Sequence, residues 1–290
     1  MIAASSLAFA QVDYAANDVS VPYVQPSETD VDGILGRYGS FKGAVLNMTR
    51  AEWEVFRAWE GYDHDEAKRI LKENKAKWQA EHAEQIADRK ANRMLITDGG
   101  CDCWVEPDAS YTQITEDDQI HLAGAGVNVD YSTEPIPMGF DFEMYGETFS
   151  SFYLNSKGSI SFDDYTIDWT PEEFPITTEA VYQVAGFWAD ADYRLSGEVY
   201  YKITENEVFI NFIDVGYYNQ GADLLNSYQI VITSADSDYL AGDANTQMCY
   251  LDMNWAHGDV GGSGGCCGDS PATVGMDAAG DSGPYLQFGR

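Results

Sequence analysis

A chain of 290 residues with a formal net charge of −32 has the length to bury a sizeable core, and its surface repels phosphate backbones, which excludes nucleic acid as a natural partner. Its 19 Tyr, 13 Phe and 7 Trp favour packed strands over disorder. The charge is uneven: 12 of the 16 Lys/Arg residues precede residue 98, and only Lys157, Arg194, Lys202 and Arg290 follow.

In chain order, residues 1–10 read as a signal peptide truncated at its start. The stretch is apolar and closes on Ala8-Phe9-Ala10 before Gln11, but it lacks a basic leader. No apolar run is long enough to span a bilayer. Both points imply a secreted or cell-surface protein that is not membrane-spanning. Residues 11–48, with Pro22, Pro26, Gly33, Gly36, Gly39 and Gly43, are expected to be an irregular lead-in. Residues 49–97 are expected to be helical. Thr49 and Glu52 have the spacing of a capping box, and Trp53, Phe56 and Trp59 follow at helical intervals. After Gly61, Asp63 or Asp65 can restart a helix whose sparse apolar stripe is Ala67, Ile70, Leu71, Trp78 and Ile86. The helices are expected to dock against the β part, with partner-binding or spacer helices as the other reading, and their basic residues could also pair with the acidic remainder as an intramolecular clamp.

Residues 98–134 form a cysteine-containing connector and first strand, with Cys101 and Cys103. From there the period is two. Strands are expected over 119–129, 139–144, 148–155, 159–162, 181–188, 198–203, 207–213, 227–233 and 248–255, separated by Gly, Asn, Asp and Pro turns. The fold class is therefore mainly β: an antiparallel β-sandwich preceded by a helical segment.

Several stretches then fall in a familiar order. They are Met138–Gly146, Phe149–Phe162, Val184-Ala-Gly-Phe-Trp-Ala-Asp-Ala-Asp192, Gly197-Glu-Val-Tyr-Tyr201, Asn254-Trp255, Gly258-Asp259, Gly261–Gly265 and Ala272-Thr-Val-Gly275, with Asp277, Gly280 and Asp281 as an acidic turn. Together they resemble the nidogen-type (NIDO) extracellular domain over residues 135–290. The resemblance implies adhesion or matrix assembly through protein or glycan contacts, with no catalytic role. Cys266-Cys267 inside the glycine loop departs from the family pattern. The acidity, the bare leader and the abrupt close at Arg290 suggest a fragment of a bacterial surface protein.

The chemistry-bearing candidates are few. Asp190 and Asp192 share a strand face, where calcium could lie between their carboxylates or Arg194, of the same parity, could satisfy one of them. Tyr217, Tyr218 and Asn219 make a candidate glycan-binding turn, with rings to stack on sugar faces and amides to bond hydroxyls. A glycan-hydrolysing enzyme would need paired carboxylates across a cleft, for which Glu172, Glu173 and Asp190 are the available set. A purely structural spacer is the remaining alternative. The five cysteines, Cys101, Cys103, Cys249, Cys266 and Cys267, are disulfide candidates. The strand bearing Cys249 leads toward Cys266 and Cys267, which makes one of them its expected partner. Cys101 or Cys103 could enter another bridge, and a vicinal 266–267 bond stays open.

Overall fold

The computed structural model describes residues 30–97, 103–177, 181–258, 270–280 and 283–289. The leader, Cys101, Asp259, the glycine loop with Cys266 and Cys267, and Asp281 lie outside the described residues.

The lead-in is not irregular from residue 30 onward. It holds α1 (Val31–Tyr38) and α2 (Phe41–Asn47). The cause is capping. The side chains of Asp30 and Ser40 accept from Gly33 N and Gly43 N, and Gly39 ends α1 in the left-handed region at φ 74°. Gly43 belongs there for a packing reason: a Cβ would lie 2.2 Å from the Tyr38 carbonyl oxygen. The α3 helix (Arg50–Arg57) opens with the expected Thr49/Glu52 capping box, and α4 (His64–Glu81) opens on Asp63. A fifth helix, α5 (Ala83–Thr97), follows the turn at His82. Trp53, Phe56, Ala67, Ile70 and Leu71 are buried together with Ile34, Val45 and Met48. Their cluster continues into Ala125, Val127, Val129 and Tyr218 of the β region, so the helices are docked on the β region and do not project from it.

The remainder is two antiparallel sheets. The first runs β1 (Thr112–Gln113), β9 (Glu198–Ile203), β10 (Glu207–Tyr217), β11 (Gly221–Thr233), β12 (Thr246–Asp252), with β8 (Ala191–Asp192) also on β10. The second runs β14 (Tyr285–Gly289), β13 (Thr273–Ala278), β7 (Tyr182–Trp188), β6 (Ser159–Ser161), β5 (Glu147–Asn155), β3 (Tyr131–Ser132), β2 (His121–Leu122), with β4 (Ile136–Met144) on β5. Between them lies the main core. Leu154, Ile160, Val184 and Phe187 face Val208, Ile210, Phe212, Tyr228 and Ile230, and Phe187 meets Trp255 edge-on at 5.1 Å.

Several expectations about strands need correction: the strand expected over 227–233 begins at Gly221, and the one expected over 248–255 runs Thr246–Asp252. Residues 119–129 are not one strand. After His121–Leu122 the chain turns, with Gly124, Gly126 and Asn128 all at positive φ. The strand expected over 207–213 runs on to Tyr217 through a bulge at Asp214, which sits at φ 50°. The bulge turns the Asp214 side chain toward α5, where Arg93 donates to it at 2.9 Å.

Cys249 does not pair with Cys266 or Cys267. It is bonded to Cys103, 146 residues away, with the two Cα atoms 5.8 Å apart. The reason is how the connector lies against the first sheet. Val105 O accepts from Asn211 Nδ2 and Gln229 Nε2, and Gln229 is the register partner of Cys249. A non-reducing peptide map is expected to recover Cys103 linked to Cys249, and Cys103→Ser is expected to lower the unfolding free energy by about 2–5 kcal/mol. A map with Cys249 joined to Cys266 or Cys267 would overturn the pairing.

Candidate functional site

Helices and sandwich meet over a buried cluster of charge. Three carboxylates, Asp130, Asp190 and Asp192, face three cations, Lys157, Arg194 and Arg50. All but Arg50 have side chains no more than 1 % exposed, and Arg50 is 13 % exposed. The signs balance, as they must where water cannot screen them.

Each member arrives from a different element. Asp130 closes the turn that replaces the expected strand, and it accepts from Ala125 N. Lys157 sits in the β5–β6 turn, held tight because a Cβ on Gly158 would lie 2.1 Å from Phe187 O. Its ammonium lies 2.8 Å from Asp130 and 3.1 Å from Asp190, and it also donates to Ala191 O at 2.7 Å. Arg50 is the first residue of α3, a place the helix dipole makes unfavourable for a cation. Tertiary contacts decide it instead. Nε and Nη2 donate to Asp130 at 3.0 Å each, Nη1 donates to Asp190 at 2.9 Å, and Nη2 also donates to Asp190. The guanidinium carbon lies 3.8 Å from the Tyr218 ring centroid and 4.6 Å from that of Trp169.

Burial works against the Asp130 anion, but Lys157 and Arg50 outweigh it and hold the carboxyl below its ordinary range. Burial also works against the Arg50 cation, and Asp190 and Asp130 outweigh it in the other direction. Desolvation raises the Tyr218 hydroxyl to about 12, so the ring is a neutral phenol at any physiological pH.

The residues singled out in the sequence divide here. Asp192 is satisfied by Arg194, as parity allowed: Nε lies 3.1 Å from each carboxylate oxygen and Nη2 2.6 Å from one. Asp190 turns instead to Arg50 and Lys157. The two carboxylates are therefore served by separate cations. Among the described residues no group of three or more His, Cys, Asp or Glu is placed to hold a metal ion. With both oxygens of Asp190 bonded to Arg50, it is also not a free acid or base for the hydrolase reading. Tyr218 is not an open platform for a sugar: it is 7 % exposed, beneath Arg50. Tyr217 donates to Asp223 and packs near Trp255 at 5.9 Å, and Asn219 accepts from Arg194. Arg50, Asp130, Lys157 and Trp169 were not singled out. The one local signal was a cation at a helix N-terminus, against the dipole.

A second clamp lies beyond the first. Arg89 bonds Asp252 at 3.0 Å, Arg93 bonds Asp214, Lys75 donates to Gly197 O at 2.6 Å, and Gln220 Nε2 donates to Leu46 O at 2.9 Å. Here α4 and α5 stand off the sheet and leave two clefts of about 590 Å³ and 510 Å³, which share Trp78, Ile86 and Leu225. Gln220 and Gly221, beside the candidate glycan turn, line the larger.

Lys157→Met leaves Asp130 and Asp190 to one cation and is expected to cost about 3–5 kcal/mol by denaturant unfolding. Asp130 has a folded pKa below its unfolded one, so its contribution is present above about pH 3.9 and lost as pH falls through the folded value. The stability gap between the parent and Asp130→Asn is therefore expected to close as pH falls below about 4. A gap that stays constant from neutral to acid pH would contradict this. Calcium against chelator at fixed salt is expected to leave the melting temperature unchanged through Asp190 and Asp192; a rise lost in Asp190→Asn would assign them a metal instead.

Comparison with known proteins fits this frame. Residues 105–238 match the family model described as NIDO related. Human alpha-tectorin is 26% identical over 122 residues, covering 41% of this chain and 6% of the relative. Mouse alpha-tectorin is 26% identical over 159 residues, covering 46% of this chain and 7% of the relative. Chicken alpha-tectorin is 26% identical over 122 residues. The chain thus spans 6–7% of the length of these human and mouse relatives. No solved structure matches. The expectation of a bacterial source finds no support, since these relatives come from human, mouse and chicken. The family match begins earlier than the expected residue 135 and takes in the connector from Val105 and β1 to β3. The two sheets continue past its end at residue 238, through β12 to β14. Over residues 105–238 the chain matches the family model described as NIDO related, and it is similar there to part of alpha-tectorin.

Proposed function

We propose that this chain is an extracellular module of adhesion or matrix type, which acts by presenting a rigid surface to protein partners. The observation that carries the reading is that the NIDO-related stretch supplies β1 to β11 of a sandwich held by its core, a disulfide and buried ion pairs. Family likeness supports the setting, while the partner belongs to the site. Protein contacts are favoured over glycan contacts because Tyr218, the central ring of the glycan candidate, is covered by Arg50. A disulfide between distant segments suits export.

Expressed in a secreting host, the chain is expected in the medium with Gln11 as its first residue. Retention inside the cell, with Ala8-Phe9-Ala10 uncut, would argue against export. The recovered protein is then tested, at fixed salt, on immobilised matrix proteins and on a glycan array. Saturable binding to a matrix protein with a blank glycan array supports the reading. Binding confined to glycans overturns the preference for protein contacts, and no binding on either surface leaves the structural spacer as the better account.

A further inference from the structure

We propose that Asp277 is a proton-operated latch: its carboxyl is carried as the neutral acid beside the Gln183 amide, and loss of the proton loosens residues 172–176 from the outer face of the second sheet. The latch goes beyond the partner reading above and does not depend on it.

The geometry comes from register. Asp277, read from the sequence as part of an acidic turn, lies within β13. Val274 and Met276 of β13 and Val184 of β7 pack into the main core, so by period two Asp277 and Gln183 stand on the opposite face. The two are register partners, which sets their Cβ atoms about 5 Å apart. Ala185 shares that face and clusters with Phe174, Ile176 and Trp188. The covering segment is pinned there by three bonds. Ile176 N donates to Asp277 Oδ2 at 2.7 Å, Phe174 N to Gln287 Oε1 at 2.9 Å, and Thr273 Oγ1 to Glu172 O at 2.7 Å. Beneath it Asp277 is 0 % exposed and Gln183 1 %. Asp277 Oδ1 and both amide atoms of Gln183 have no partner there.

Charge makes Asp277 the exception among the buried carboxylates. Glu52 is bonded by Arg37, Asp130 and Asp190 by Arg50 and Lys157, and Asp192 by Arg194. Among the described residues no cation reaches Asp277. Burial raises its pKa, and only the N–H groups of Ile176 and Ala278 act in the other direction. The cations of the β region are committed elsewhere, Lys157 and Arg194 to the central cluster and Lys202 over the Tyr111 ring. The titratable groups around Asp277 are phenols. Tyr285 stands opposite it on β14, Tyr182 opposite Ala278 on β7, and the Tyr145 hydroxyl lies 3.5 Å from Met276 O. A phenol ordinarily ionises near about pH 10 and offers no positive charge. Glu147 and Asp163, beside Tyr182, offer none either. A buried carboxyl in such surroundings keeps its proton and gives up its charge. The proton gives Oδ1 something to donate, and the unpartnered Gln183 Oε1 is an acceptor for it.

The folded pKa lies above the unfolded value of about 3.9. Stability is therefore full below the unfolded value, falls as pH rises between the two, and stays low above the folded one. The test is the pH dependence of melting in the full chain. Asp277→Asn keeps the shape of the neutral acid and cannot ionise. Its melting temperature is expected to pull ahead of the parent's by several degrees as pH rises from about 3 to about 8, the reverse of Asp130→Asn. A gap that stays constant, or that moves the other way, overturns the latch; an Asp277 anion bonded by Gln183 Nε2 would give that result. Should Asp277→Asn not fold, carbon-13 NMR of the parent decides. An Asp277 carboxyl that titrates above the ordinary aspartate range supports the latch, and one within or below that range overturns it. The loosening is read from hydrogen exchange at the Ile176 amide, corrected for the intrinsic rate. Its protection is expected to fall in the parent between about pH 4 and about pH 8 and to hold in Asp277→Asn. Equal protection in the parent across that range overturns the loosening.

Discussion

Buried charge must be balanced on the spot, and the placement of this chain's segments follows from that constraint. Asp130, Asp190 and Asp192 sit in an interior that cannot solvate them, at no more than 1 % side-chain exposure. Lys157 and Arg194 come from the sandwich's own turns and strands, and leave one negative charge over. Arg50 supplies the last positive charge, and to reach it the helical segment has to dock. Removing one member of such a group is costly because the others are left buried and uncompensated.

The apolar contacts act beside the charges. Trp53, Phe56, Ile70 and Leu71 form a small core of the helices' own, and Ala125, Val127, Val129 and Tyr218 extend it into the sandwich. Burial of that surface provides driving force, but it is non-directional. The two forks of Arg50 fix orientation. Farther along, the bulge at Asp214 gives α5 an anchor through Arg93. Surface pairs such as Arg69 with Glu66 and Glu73, on the outer side of α4, add little by comparison because water screens them.

The same constraint changes how the candidate residues are read. Asp190 and Asp192, so close in sequence, look like a ligand pair. In the fold they serve different cations and belong to a docking interface. Tyr218, expected as an open ring, is the floor beneath a guanidinium. The carboxylates expected to take calcium hold cations of the chain itself in this structure.

The sequence by itself determined the elements whose signals are local. The capping box at Thr49 and Glu52, the period-two runs expected from residue 139 to 233 and the Asp192–Arg194 pair were legible, because each depends on residues a few positions apart. The order of the family motifs was legible for the same reason. What lay beyond it was pairing across long separations. Cys103 finds Cys249 over 146 residues, and Arg50 finds Asp130 and Asp190 over 80 and 140. In a chain with 48 acidic residues, no local pattern marks which carboxylates will be buried. Burial is settled when the sheets stack and the helices dock, since only then is water removed and each charge forced to find its partner.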